Sequence, residues 1–540
     1  MAKKVKRSDE SKSLFGGAME VNPPVFFISV LIIVVSVVLT LVFDQQAGEA
    51  FKNIQQQVAQ KADWFFILCV NVFLVFLVFL AVTKSGKLRI GGPKARPEFK
   101  TGSWFAMLFS AGMGIGLLFF GVAEPIKHFV KPATASPETV AAAHEAMNFT
   151  FLHWGFHAWA VYALVGLALA YFTYSKGLPL TIRSVFHPFL GDKIYGPIGD
   201  AIDILAVLAT LFGLATSLGF GVQQIATGLE FVFGLSGGIT TQVILIAGIT
   251  AIATLSVVLG VDKGVKILSE WNMRIAVVLL LLVLILGPTL FIFRSFIENT
   301  GSYLFNFLKI STWSETYSGG DWQNDWTVFY WGWWIGWSPF VGMFIARISK
   351  GRTVREFILG VLLVPSVVTF FWMSAFGSSA IHQAMAGDPN IISAVNDDVA
   401  RALFVFFEDY PLSAIINVVA ILLIAGFFVT SSDSGSLVID SLTSGGKVDA
   451  PVPQRIFWAV TEGAVAAVLL IGGGLSALRT ATIVTGLPFA LILLTMCYSL
   501  YKGLQEDVKK MEKKKSDEQR DDYEEVVKEI VERRNKNKNQ

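Results

Sequence analysis

The stretch PVFFISVLIIVVSVVLTLVF (24–43) decides the fold class: it is an apolar run without a single charge. At about 1.5 Å per residue, a helix of that length matches the roughly 30 Å hydrocarbon core of a bilayer. WFFILCVNVFLVFLVFLAV (64–82) and AVVLLLLVLILGPTLFIF (276–293) repeat the pattern. Of the whole chain, 54% is hydrophobic and 16% charged, whereas soluble domains run near a quarter charged. The chain therefore reads as an all-α polytopic membrane protein, since helices satisfy their own backbone polar groups in lipid.

About twelve transmembrane helices are predicted, near 25–43, 64–82, 104–121, 148–172, 200–234, 239–260, 274–294, 326–346, 356–383, 412–431, 455–472 and 480–500. The loops 83–102, 174–193 and 346–356 are rich in Lys and Arg, while 44–63 and 384–404 are poor in them. Every basic loop then falls on the side of both termini, which predicts cytoplasmic termini and a plasma-membrane location. The apolar run after MAKKVKRSDESK is too long for a signal segment and lacks a small-residue cleavage site, so the first span is expected to remain. Cys69 and Cys497 lie within spans and read as small buried hydrophobes. The six histidines show no metal-ligand spacing, and neither a phosphate loop nor a nucleophile–base pair occurs, so no enzyme and no ATP-driven pump is expected.

Polar cargo inside a membrane needs irregular backbone, and the sequence offers two places for it. LFSAGMGIGLLFFG (108–121) carries Gly112, Gly114 and Gly116 at two-residue spacing, which lines no single helical face. In the eighth span, WGWWIGW (331–337) is followed by Pro339, which lacks a backbone donor and predicts a second interruption. Interruptions in spans three and eight suit two five-helix repeats, 104–294 and 326–500, the second inverted. Two extra helices (25–103) would precede them, with a short tail (1–24), an amphipathic extracellular segment (295–325) and a charged tail (501–540). Spans five and ten, third in each repeat, carry ATLFGLATSLGFG (209–221) and GFFVTSSDSGS (426–436).

The aromatics suggest the cargo. Trp331, Trp334 and Trp337 recur at threes, and FLHWGFHAWAVYALVG (151–166) adds Trp154, Trp159 and Tyr162. Trp104, Trp326 and Trp331, near span ends, also suit an interfacial belt or plain packing. Deeper rings suit a cation that donates no hydrogen bond, at up to about 2 kcal/mol per desolvated cation–π contact. A primary amine would recruit a carboxylate, and none neighbours these rings in sequence. Amides at the broken helix are placed to take a carboxylate, so a zwitterion with a trimethylammonium head is the expected ligand.

DWTVFYWGWWIGWSPFVGMFIARISKGRTVREFILGVLLVP (325–365) resembles the signature of the betaine/choline/carnitine transporter family. AGMGIGLLFFGVAEP (111–125), HWGFHAWAVYALVGLALAYF (153–172) and GFFVTSSDSGS (426–436) are similar to it in the same order. Over roughly 20–500 the likeness is to the sodium-coupled glycine betaine form. It implies a LeuT-type 5+5 inverted repeat behind two extra helices, assembled as a homotrimer. By position, the trimethylammonium would sit among Trp154, Trp159, Tyr162 and Trp334. Trp333 and Trp337 would line the route, and Phe340 would be a further gate residue. Choline-specific relatives tend to carry an Asp where Gly116 stands, so its absence favours a zwitterion.

The same resemblance implies a sodium site built from carbonyls of Ser110, Met113 and Phe427 and hydroxyls of Thr430 and Ser431. A second site would pair Thr210 with a hydroxyl four residues on, but Leu214 stands there; Thr216 or Ser217 are candidate substitutes. Hydroxyls such as Thr430 and Ser431 also bond back to their own helix, which is the structural alternative. Glu124 and Asp433 read as helix caps or gate residues, with proton coupling as a lesser option. In the tail, KKMEKKK (509–515) suits anionic lipid, and Val526, Val527, Ile530 and Val531 form one narrow stripe.

The reading is Na+-driven import of glycine betaine or a related compatible solute, for osmotic protection, with no organic cofactor and no nucleic-acid partner. Ectoine, proline and carnitine remain open as cargo. The alternatives are a sodium-independent carnitine or betaine exchanger, H+-coupled choline uptake, and a betaine-gated sensor that binds without flux.

Overall fold

The computed structural model describes residues 11–112, 114–259, 266–447 and 449–538, almost all of them helical. Among these, nine helices are long and apolar enough to cross a membrane, and one bent pair makes ten. The helix Val452–Lys538 holds a non-helical Gly474 (φ 60°, ψ −149°), which divides it into an eleventh and a twelfth span. The Trp-rich helix Phe329–Ile348 supplies the remaining one; indole is only weakly hydropathic although Trp331, Trp333 and Trp334 are buried. The chain is thus an all-α polytopic membrane protein.

Contacts between loops sort the two faces. On one, a short hairpin (Lys12–Leu14 with Met19–Val21) leads to Asn22, whose N–H donates to the carbonyl of Thr443 (2.7 Å). The loop after span two pairs with the loop after span eight through Ile90 and Arg352 (2.9 Å). The C-terminal helix meets the same face, where the Tyr171 hydroxyl donates to the Gly503 carbonyl and Asp507 pairs with Lys176 at 2.7 Å. On the other face, Thr480 reaches Gln55 and Trp322 reaches the carbonyl of Lys131. The N-terminal hairpin, the start of the C-terminal helical extension and the basic loops therefore share one face, as an even number of spans requires.

Span three is broken. Its first half is the helix Thr101–Gly112; the stretch Thr101–Ser110 and the helix Ile115–Val130 meet at about 65°, with Gly114 extended between them. Met113 lies outside the described residues. Span four is broken as well, which the sequence reading did not foresee: Val140–Trp154 and Phe156–Ala170 join at Gly155. A Cβ there would stand 2.6 Å from the Phe370 ring and 2.5 Å from the Phe151 carbonyl, so only glycine fits.

Span eight, by contrast, runs unbroken through Pro339, against expectation. Proline removes the donor that would serve the Ile335 carbonyl four residues back. The hydroxyl of Ser338 donates to that carbonyl at 2.7 Å, so the helix keeps its acceptor satisfied and continues. Span seven occupies Lys266–Leu286, eight residues before its expected place, and stops at Gly287-Pro288. The helix Thr289–Ser311 follows and exposes Leu290, Ile297, Phe305 and Leu308. Trp104 and Trp331 are buried within the bundle, each 1% exposed, so both are packing residues rather than belt anchors.

Candidate functional site

The two breaks and the unbroken span eight meet at one cavity. Gly114, Gly116 and Leu117 of span three line it, with Trp154, Ala158, Trp159 and Tyr162 of span four and Trp333, Trp334 and Trp337 of span eight. Trp334 is the common wall. Trp333 stacks on it (4.8 Å, 12°), Trp154 meets it edge-on (4.9 Å, 69°) and Tyr162 likewise (6.2 Å, 73°). Trp159 closes against Tyr162 at 5.5 Å. All five rings are at most 7% exposed. The expected box residues are therefore together; Gly112 ends the first half of span three, at the break itself.

What the rings offer is settled by their nitrogens. The indole N–H of Trp154 donates to Glu124 (2.7 Å), that of Trp334 to the His153 carbonyl (2.8 Å), that of Trp333 to Ser217 (3.1 Å), and that of Trp337 to the Gly213 carbonyl (2.9 Å). These four donors are turned into the frame, so Trp154, Trp333, Trp334 and Trp337 give the cavity their π faces. Such faces attract a cation electrostatically, while Tyr162, Ser217 and Thr369 bring hydroxyl groups to the same lining. Quaternary ammonium, which has no N–H to satisfy, loses nothing there.

Opposite the rings, Gly114 is the N-cap of Ile115–Val130 and no side chain caps that helix. Its first-turn amides and the positive end of its dipole suit a carboxylate. The cavity itself is about 40 Å³, space for only a few waters, so it must widen around a larger solute. Gly116 sets the present width: a Cβ there would lie 2.7 Å from Trp154 Cη2 and 3.0 Å from Trp333 Cη2.

Towards the termini, a separate vestibule of about 100 Å³ begins where the box ends, and Trp337 lines both. Phe340 stands beside Trp337 (5.4 Å, edge-on) and borders the vestibule only. The other expected sodium ligands within the described residues, Ser110, Phe427, Thr430 and Ser431, all border it. The Thr430 hydroxyl bonds to its own helix, at the carbonyls of Gly426 (3.1 Å) and Phe427 (3.3 Å), and accepts from Asn272 at 3.2 Å. Asn272 was not anticipated. Gly426 makes room for it, since a Cβ there would sit 2.1 Å from Asn272 Oδ1.

The expected second site has a different character. Thr210 donates to the Ala206 carbonyl of its own helix (2.7 Å), and Leu214 is fully buried with its methyl over Gly435. Thr216 faces span twelve, at Leu478 and Thr482, while Ser217 holds Trp333. Neither substitute hydroxyl turns toward Thr210.

On the side away from the termini, Glu124 closes the box. It lies inside span three rather than at its end and is fully buried. It accepts from His153 (2.7 Å), His128 (3.2 Å), Trp154 and the Tyr330 hydroxyl, linking spans three, four and eight. Asp433 is also no cap: it is buried within span ten and accepts from Ser256 at 2.9 Å. Tyr330, Phe120 and Phe329 pack above the box against Trp333 and Trp154.

The model of the betaine/carnitine/choline transporter family matches residues 24–509. The chain belongs to that family, and it is a membrane transporter rather than an enzyme. A glycine betaine transporter of Acinetobacter baylyi is 46% identical over 91% of this chain and 74% of its own length. A glycine betaine/proline/choline transporter of Vibrio parahaemolyticus is 48% identical over 91% of both chains. A glycine betaine transporter of Bacillus subtilis is 42% identical over 91% of this chain and 96% of its own.

Proposed function

We propose that this transporter imports glycine betaine, or a compatible solute of the same charge pattern, by Na+ symport, as protection against osmotic stress. The observation that carries the betaine reading is the cavity in which the indole donors of Trp154, Trp333, Trp334 and Trp337 are turned away. It accepts a cation with no hydrogen to give, and the uncapped helix at Gly114 takes the carboxylate. The relatives named for glycine betaine point the same way.

Sodium is supported by the vestibule, where Ser110, Phe427, Thr430 and Ser431 offer hard oxygens around one space. One Na+ per cycle is the stoichiometry proposed, because Leu214 fills the place of a second hydroxyl. Binding there would join spans three and ten and favour the arrangement that holds the box. Release toward the termini would follow Trp337 and Phe340. Assembly as a homotrimer, contact of the charged tail with anionic lipid, and cytoplasmic termini belong to the same proposal.

A second reading rests on Thr430. Its hydroxyl already serves its own helix and Asn272, an arrangement a sodium-independent exchanger would keep unchanged. Uptake of labelled glycine betaine into proteoliposomes separates the two. Accumulation under an inward Na+ gradient, and not under K+ or H+ gradients, is the expected result. Uptake indifferent to Na+ gives the exchanger.

A further inference from the structure

Among the described residues, Arg479 is a guanidinium without a hydrogen-bonding partner. It stands at the start of span twelve, on the face away from the termini, five residues after the Gly474 turn. Its Cζ lies 4.5 Å from the Phe329 ring centroid and 5.8 Å from that of Phe220. Its buried Nε has no partner, and among the described residues the side chain makes neither a hydrogen bond nor an ion pair. The aromatics hold the guanidinium from one side, its buried Nε goes unserved at a cost, and the remaining donors of its fork are open to the neighbouring cleft.

The fork borders a cleft of about 610 Å³ that also holds Asp321 and Asp325. Asp325 attracts Arg479 without reaching ion-pair distance. One cleft thus carries an open guanidinium and two carboxylates in separate positions. Lys52, also on its border, adds a second positive charge near the rim. Beneath Arg479 lies one aromatic layer: Phe329 stacks on Trp333 (5.4 Å, 24°) and Phe220 meets Trp333 at 5.4 Å. The far side of Trp333 is the wall of the box.

The geometry points to an entry site for the zwitterion, in which Arg479 takes the carboxylate and Asp321 and Asp325 face the quaternary ammonium, one layer short of the box. This inference rests on the proposed betaine-type cargo. It makes the carboxylate end of the solute the part that is selected first, before the aromatic faces read its cation.

Steady-state uptake with Arg479→Gln and Arg479→Lys tests it, using glycine betaine as substrate and choline, which lacks the carboxylate, as competitor. Losing a charge-assisted contact of this kind raises KM for glycine betaine by about tenfold, with a smaller effect on kcat. The choline inhibition constant stays put or falls, and Arg479→Lys recovers part of the loss. Equal shifts for both ligands mean that Arg479 only packs Phe329, and overturn the inference, as does no shift. Equilibrium binding of glycine betaine and of choline to Trp334→Leu, with and without Arg479→Gln, reads the cleft independently of transport. A further loss of glycine betaine affinity on adding Arg479→Gln, with choline affinity unchanged, supports the site even if uptake fails; no further loss, or an equal loss for choline, overturns it.

Discussion

Gly116→Ala is a one-methyl test of the box. The new Cβ would lie 2.7 Å from Trp154 Cη2, about 0.7 Å short of the 3.4 Å where ordinary contact begins, and 3.0 Å from Trp333 Cη2. Neither ring is free to retreat. Trp154 is pinned through its nitrogen to Glu124, and Trp333 to Ser217. Overpacking of this kind costs roughly 1–3 kcal/mol, and the strain falls on the two rings that shape the cavity. Relief by tilting either ring narrows a space that must widen to admit a solute. The expected result is a rise in KM for glycine betaine of roughly tenfold to a hundredfold, with a lowered melting temperature. Gly114→Ala is the control: its Cβ meets nothing within 4 Å and its backbone is extended, so the melting temperature of the ligand-free protein should hold. Uptake kinetics and thermal unfolding in detergent check both variants. If Gly116→Ala leaves KM and stability untouched, the box lies elsewhere.

Three further outcomes follow from the same geometry. Trp334→Leu removes the common wall and should weaken glycine betaine binding by about thirtyfold, the equivalent of one desolvated cation–π contact, while the protein still folds; titration by isothermal calorimetry measures it. Thr430→Ala should raise the Na+ concentration for half-maximal uptake with little change in solute binding at saturating Na+; an unaltered Na+ dependence assigns the hydroxyl to its helix alone. At the tail, burial alone would raise the Asp507 carboxyl, but the Lys176 ammonium and the Tyr171 hydroxyl together outweigh it and hold the group below its ordinary value. Its folded form is therefore favoured above the unfolded aspartate value near ~4 and loses that support as pH falls through the folded value. Limited proteolysis of the C-terminal helix should accelerate on acidification, and Asp507→Asn should abolish that pH dependence.

The membrane fold was legible because apolar length is a one-dimensional signal, and runs such as 24–43 carry it unaided. Ring membership in the box was legible from the Trp spacing together with the family resemblance. Three features were not. The break at Gly155 depends on the Phe370 ring, more than two hundred residues away, which no local pattern reveals. The continuity of span eight depends on the neighbour of Pro339 being a serine, a side-chain rescue that the proline rule omits. Glu124 looked like a helix terminus because its partners come from spans four and eight, and Asn272 went unnoticed because a lone amide in an apolar span carries no motif. In each case the deciding contact is long-range or belongs to the adjacent residue's side chain.

The inward turn of the box nitrogens has a consequence for mixtures. Because the frame consumes the donors of Trp154, Trp333, Trp334 and Trp337, an arriving solute neither competes for them nor rearranges them, and those four rings grade cations by girth and bare charge. Osmolytes with the same head would be indistinguishable at that wall. Selectivity in a crowded medium would then be decided by the anionic end of the molecule, and a solute bearing an N–H, such as proline, would enter at the expense of a hydrogen bond left behind in water.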